Sequence, residues 1–410
     1  MDGFPIGFWN YALANRPEAM RVRDWVDAGM TLASSPTFDP ARDDKAAFIE
    51  MLDRCAEAGV RVIVWDERSL WPAFKNGEDA YRAGFAEALA DFGSHPAVLG
   101  FKVLDEPQAA QFDSACRICR IHKEMAPRLS PFVNLVPWLE GIEGWTGRAD
   151  WPAYLDEFVD AACPDMLSFD VYSQMNPGTE GWDMYFRNLR DYRAAADRHK
   201  IPLWVTLLSV GHFRYRCPRE DDLRWQLNTA AAHGANGVMW FFFYMRQPHD
   251  NFRVAPIDEH WERTETFEWL SRVNRTFLKG PAETLAKLTL RHVAHVGRAW
   301  GGWPLFDGQD GRVSQAKSLH GTDLIVSQFT DAQGADYVAV VNNSQTDSTE
   351  AQIRFRARRP RVWHVGWLGQ QTPLHENVAE RWMLGVDYMV VRHWLAPGQM
   401  ELFKVADGEN

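Results

Sequence analysis

Asp44-Lys45-Ala46-Ala47-Phe48-Ile49-Glu50-Met51-Leu52-Asp53-Arg54-Cys55-Ala56-Glu57-Ala58-Gly59-Val60-Arg61-Val62-Ile63-Val64-Trp65 contains the unit from which the fold is read. Asp44 is of the type that caps a helix start, and Ala47, Phe48, Met51, Leu52 and Cys55 recur at helical spacing before Gly59 ends the run. Gly59 then hands over directly to a strand-like run at 60–65. The same device recurs at Ala28-Gly29 and His233-Gly234, and Lys200-Ile201-Pro202 leads into another strand in a comparable way.

Read outward from there, strand-like runs at 4–11, 30–35, 60–65, 98–104, 132–137, 166–172, 203–208 and 237–243 alternate with amphipathic helical runs, the pattern of a parallel sheet with crossover helices. Eight such units in roughly 270 residues match a (β/α)₈ TIM barrel. An open doubly wound sheet would want a glycine-rich phosphate loop after the first strand, and Gly7-Phe8-Trp9-Asn10 supplies none. A helix at 264–276, capped by Thr264, and an apolar stretch through Leu288 close the region. From about Leu324 the runs are short and strand-like, at 324–329, 337–341, 351–355, 362–365, 388–391 and 400–405, with Gly, Asn and Asp turns between them. The expected organisation is an α/β barrel over 1–285, a connecting segment over 286–319 and a small all-β sandwich over 320–410.

Composition narrows the function. The 410 residues are 46% hydrophobic and 24% charged, as in globular domains, and the formal net charge is −11. That balance disfavours nucleic acid and anionic membranes as partners and favours a neutral or polar small molecule. No apolar run has the length of a membrane span, and the first residues lack a leader pattern. Five cysteines, an odd number, read as reduced thiols, so a cytoplasmic chain is expected, with a secreted chain whose leader has been removed as the alternative. Cys116 and Cys119 form a CxxC on a helical period, with no second pair beside it to complete a zinc set. Neither metal nor cofactor is expected, and a homo-oligomer is left open.

In a barrel the reaction site lies where the strands end, so the polar residues after each apolar run rank first. They are Asn10 and Tyr11, Asp66 and Glu67, Asp105 and Glu106, Asn134, Asp170 and Tyr172, Ser209 and His212, and Tyr244. Several carboxylates around one mouth, with Trp9, Trp65, Trp138 and Trp240 among the 19 tryptophans, suit sugar chemistry: paired carboxyls for acid and base work, flat rings for the apolar faces of pyranosides.

The segment His95-Pro96-Ala97-Val98-Leu99-Gly100-Phe101-Lys102-Val103-Leu104-Asp105-Glu106-Pro107 resembles the fourth strand of clan A glycoside hydrolases, where an Asn-Glu-Pro or Asp-Glu-Pro carries the acid/base glutamate. Asp165-Met166-Leu167-Ser168-Phe169-Asp170-Val171-Tyr172 is similar to the sixth strand of β-galactosidase-like barrels. Leu208-Ser209-Val210-Gly211-His212, Leu223-Arg224-Trp225-Gln226-Leu227, Gly234-Ala235-Asn236-Gly237, Val254-Ala255-Pro256-Ile257-Asp258 and Val341-Asn342-Asn343 extend a loose resemblance to family 42 β-galactosidases. The resemblance implies Glu106 as the proton donor to the leaving oxygen, with Asp105 on a ring hydroxyl. It also implies a nucleophilic glutamate at the end of the seventh strand, in a Pro-x-Trp-x-Thr-Glu run; here the run is Pro202-Leu203-Trp204-Val205-Thr206-Leu207, and Leu207 stands in the glutamate's place.

Asp170 is therefore the favoured second carboxylate, with Asp66 and Glu67 in reserve, and an inverting single displacement is expected, its carboxyls roughly 6.5–9.5 Å apart. Asp66, Asn134, Tyr172, His212, Trp9, Trp65, Trp138, Trp240 and Tyr244 complete the expected sugar site. The first function is hydrolysis of a small or terminal glycoside. The alternative, motivated by Leu207, is a non-catalytic carbohydrate-binding protein on a degenerate barrel.

Overall fold

The computed structural model describes residues 3–174, 181–246, 252–359, 361–374, 381–384 and 387–408. Eight parallel strands form its first sheet: β1 (Ile6–Phe8), β2 (Leu32–Ser34), β3 (Arg61–Val64), β4 (Val98–Asp105), β5 (Ser130–Leu135), β6 (Leu167–Asp170), β7 (Leu203–Leu208) and β8 (Gly237–Phe241). Each pairs with the next from β2 to β8, and β8 pairs with β1. The Thr31 N–H donates to the Ile6 carbonyl at 2.9 Å and the Ile6 N–H to Thr31 Oγ1 at 3.0 Å, which joins the start of β2 to β1 and completes the ring.

The pleat sorts side chains into two cores. Leu32, Ile63, Phe132, Met166, Trp204 and Met239 fill the barrel interior. Val62, Val64, Phe101, Val103, Phe169, Val205 and Val238 face the helices. Asp44 caps the helix Lys45–Glu57 by accepting from the N–H groups of Ala46 and Ala47, and Gly59 at φ +71° makes the left-handed exit into β3. Thr264 stands at the N-cap of Glu265–Phe277, yet its hydroxyl donates to the Ala255 carbonyl at 2.7 Å instead of capping, because a loop carbonyl lies within closer reach.

The C-terminal part is a sandwich of a six-stranded and a four-stranded antiparallel sheet, closed over Val326, Val338, Val340, Ile353, Phe355, Val391 and Phe403. Residues 286–319, read above as a connecting segment, carry two strands of these sheets, Thr289–Val296 and Val313–Ser318. Arg291, His292, Gln315 and Lys317 break their apolar runs, which hid them from a pattern search. The barrel helix Glu220–Ala232 docks on the sandwich through Trp225 Nε1 to Asn343 Oδ1 (2.9 Å) and Asn228 Nδ2 to the Gly398 carbonyl (2.8 Å). A Cβ at residue 398 would lie 2.4 Å from the Trp225 backbone, so only glycine allows that approach. Cys116 and Cys119 are buried free thiols on the helix Phe112–Met125, and burial pushes Cys116 up to about 12, so the CxxC is packing. Among the described residues no helix is long and apolar enough to cross a membrane.

Candidate active site

The register of β4 against β5 shifts between Lys102 and Leu104, after which Asp105 pairs with Asn134. Residues three apart on a plain strand face opposite sides; the bulge turns both Lys102 and Asp105 into the barrel. Glu106 follows in the left-handed region at φ 45°, its N–H donating to the Asn134 carbonyl at 2.8 Å. Such backbone in a non-glycine residue costs about 1–3 kcal/mol and recurs where a side chain is aimed for function.

Asn134 is the hub beneath these carboxylates. Its Nδ2 donates to Asp170 Oδ1 at 2.8 Å and to Asp105 Oδ1 at 3.3 Å, while its Oδ1 accepts from Ser168 Oγ at 3.0 Å and Thr206 Oγ1 at 3.4 Å. Thr206 Oγ1 also accepts from Trp9 Nε1 at 3.1 Å. One amide thus ties β1, β5, β6 and β7 to the end of β4.

Burial raises all three carboxyls above the ordinary carboxylate range. Glu106 is pushed up to about 7, by burial first and then by the charge of Asp105. Asp170 is raised well above its ordinary value by burial, then by the charges of Glu106 and Asp105. Glu106 and Asp170 act on each other through charge and a shared hydrogen bond, so the two titrate as a pair. Beneath them Lys102 Nζ sits 3.4 Å from the centre of the Trp65 ring and 4.4 Å from that of Trp9, and burial lowers its ammonium to about 8 against the pull of Asp105. Trp65 Nε1 is a buried donor with no partner among the described residues.

Tyr11 and Tyr172 wall the mouth, their hydroxyls held un-ionised by burial. Tyr11 stacks on Trp9 at 6.0 Å, and the exposed Arg246 guanidinium lies 4.5 Å over its ring. Tyr172 meets His212 edge to face at 6.3 Å, with His212 on a two-residue ribbon against Phe252 and Arg253.

Of the residues singled out from sequence, the structure thus gathers Trp9, Trp65, Asp105, Glu106, Asn134, Asp170, Tyr172 and His212 at one mouth. Trp138, Trp240, Tyr244 and Asp66 lie elsewhere. Trp240 points outward and donates to Asn274 Oδ1 at 3.0 Å, since Met239 takes the inward phase. Tyr244 OH accepts from Trp25 Nε1 at 2.7 Å in the helix layer. Trp138 lies under the Arg187 guanidinium, 3.2 Å from its ring, beside a separate groove of about 560 Å³ with Glu140 and Asp183. Asp66 is fully buried in a two-pronged pair with Arg68 (2.9 and 2.8 Å), leaving no oxygen for a sugar, and Glu67 is exposed. Replacing Arg68 with Met leaves that carboxylate buried and unpaired, and urea unfolding is expected to show a loss of about 3–5 kcal/mol.

The seventh strand also differs from its reading. Leu207 faces the helices with Leu203 and Val205, and Thr206 is the residue turned to the mouth. The strand contributes no carboxylate, but through Thr206, not Leu207. Lys102 is a mouth residue that the strand-end rule does not reach; its sequence signal is a single lysine inside the apolar run 98–104.

A closed eight-stranded barrel followed by a C-terminal sandwich is the fold class seen in clan A-like glycoside hydrolases. A solved structure described as a glycoside hydrolase superposes with a TM-score of 0.61, at 10% identity, over 99% of this chain and 93% of its own. A family 39 glycoside hydrolase from Bacteroides cellulosilyticus gives 0.51 at 12% identity, covering 98% of this chain and 80% of that one. A β-galactosidase from Rahnella gives 0.53 at 13% identity over 71% of this chain, which spans 58% of that enzyme. At such identities the likeness is one of fold. No family model matches the chain, and no curated protein matches it in sequence.

Proposed function

We propose that the chain hydrolyses a small or terminal glycosidic bond at the mouth of its barrel, residues 1–285, with Glu106 as general acid and Asp170 as the second carboxylate. The observation that carries this reading is the coupled pair of half-buried Glu106 and buried Asp170, at a strand-end mouth walled by Trp9, Tyr11, Trp65 and Tyr172. Two raised carboxyls in contact hold one proton between them near neutral pH. Their hydrogen bond lowers Glu106 and raises Asp170, so that proton rests on Asp170 in the free site; the Asn134 N–H favours the Asp170 anion, and transfer of the proton to Glu106 when sugar binds leaves Glu106 the acid and Asp170 the anion. That is the division of labour glycoside hydrolysis needs: an acid for the leaving oxygen and an anion for the anomeric carbon.

The contact also changes the expected stereochemistry. Inversion wants roughly 6.5–9.5 Å between carboxyls to seat a water, and retention about 5–5.5 Å. Carboxyls that act on each other this closely lie nearer the narrower geometry than the wider one, and on that ground Asp170 attacks the sugar directly and Glu106 then serves as base for water. Asp105, Tyr172 and His212 meet the sugar, while Asn134, Trp9 and Trp65, all buried, hold that surface from beneath.

A panel of natural and chromogenic glycosides tests the activity. Proton NMR of the first-formed sugar is expected to show the substrate's own anomeric configuration, and the opposite anomer would remove Asp170 as nucleophile. The second reading, a non-catalytic carbohydrate-binding protein, draws on Thr206 at the mouth of β7. Sugar binding without turnover across the panel would favour it.

A further inference from the structure

His364, His393 and Glu401 come from three strands of the sandwich, Arg361–Val365, Tyr388–Leu395 and Met400–Ala406. Strand alternation turns all three into the space between the sheets: His364 is in phase with Val362, His393 with Val391, and Glu401 with Phe403 and Val405, all of them sandwich-core residues. His364 and Glu401 belong to the six-stranded sheet and His393 to the four-stranded one, so the cluster spans the two. Glu401 is 2% exposed, a carboxylate at the end of an apolar layer. His364 Nε2 contacts its Oε2, His393 Nε2 lies 3.5 Å from its Oε1, and Gln399 Nε2 donates to Oε1 at 2.5 Å. One ligand atom from each of the three residues lies within 4.8 Å of the other two.

We propose that His364, His393 and Glu401 bind one zinc ion that pins the two sheets of the sandwich together. Two imidazole nitrogens and one carboxylate oxygen, with water as the fourth ligand, are a donor set zinc takes in tetrahedral geometry. Calcium and magnesium want oxygen alone. Arms of about 2.1 Å set donors about 3.4 Å apart, a spacing that small side-chain rotations reach from the present one. The ion would neutralise a carboxylate that is costly to bury and convert three side chains into a cross-link between the two sheets. This site is independent of the barrel mouth, and its occupancy is not required for turnover there.

The test uses the full chain without a polyhistidine tag, stripped with chelator, then equilibrated with Zn²⁺ and desalted. Elemental analysis is expected to find about one ion per chain, with a raised Tm, and Co²⁺ in its place to give the intense visible bands of a tetrahedral site. His364→Gln and His393→Gln should each bring retained zinc down to the level of a metal-free control. Wild-type protein that retains no zinc, or variants that still hold about one ion per chain, would overturn the proposal. Where a variant does not fold, the Co²⁺ spectrum of the wild type decides alone: bands of an octahedral ion, or none, overturn it.

Discussion

Glu106→Gln is expected to lower turnover of a natural glycoside by about 10²–10⁴-fold, the range a positioned proton donor contributes. Gln keeps the shape and loses only the proton, so KM and the unfolding transition should change little. Aryl glycosides with acidic leaving groups need less protonation and should lose less. The wild-type rate should fall as pH rises through about 7, where Glu106 loses its proton and the acid is spent. In Glu106→Gln that limb should vanish. A variant with near wild-type rates on a natural substrate would exclude Glu106 as the acid.

Asp170→Asn is expected to move activity and stability in opposite directions. Turnover should drop on the order of 10⁴-fold, as when one member of a catalytic unit is removed. Stability should rise by about 1–2 kcal/mol, because a buried carboxylate held beside two others is replaced by a neutral amide. The pH dependence follows from the direction of the shift. Asp170 is raised in the folded chain, so between its ordinary and raised values the folded chain holds a proton that the unfolded chain releases, and stability falls as pH rises. Asn does not titrate. The gain should therefore be small near pH 4 and larger near pH 8, which thermal unfolding at both values measures. A loss of stability at pH 8 would mean that Asp170 is a structural anchor for Asn134.

Alternation of apolar strands with capped helices made the barrel legible, down to the glycine exits such as Gly59, because each crossover leaves a local chemical signature. What the sequence left dark depends on phase and on distant partners. Whether Thr206 or Leu207 faces the mouth is a matter of one residue in the pleat, and motif matching chose the outward one. Trp240 and Tyr244 end their strand as the pattern expects, yet the same one-residue phase turns them to Asn274 and Trp25. The bulge that brings Lys102 and Asp105 to one side has no composition of its own. Asp66 looked like a mouth carboxylate because its partner, Arg68, lies two residues on and closes the pair only when the loop turns back.

The most direct measurement is the mass of the protein during turnover of a 2-deoxy-2-fluoro glycoside bearing a good leaving group, made from whichever sugar the panel selects. Fluorine at C2 slows both steps, and the leaving group speeds only the first, so a covalent intermediate accumulates. The expected result is one added fluoro-sugar per chain, with the modified peptide mapping to Asp170 and no adduct in Asp170→Asn. An active enzyme that carries the sugar on another residue, or that yields the inverted anomer with no adduct, would contradict the account.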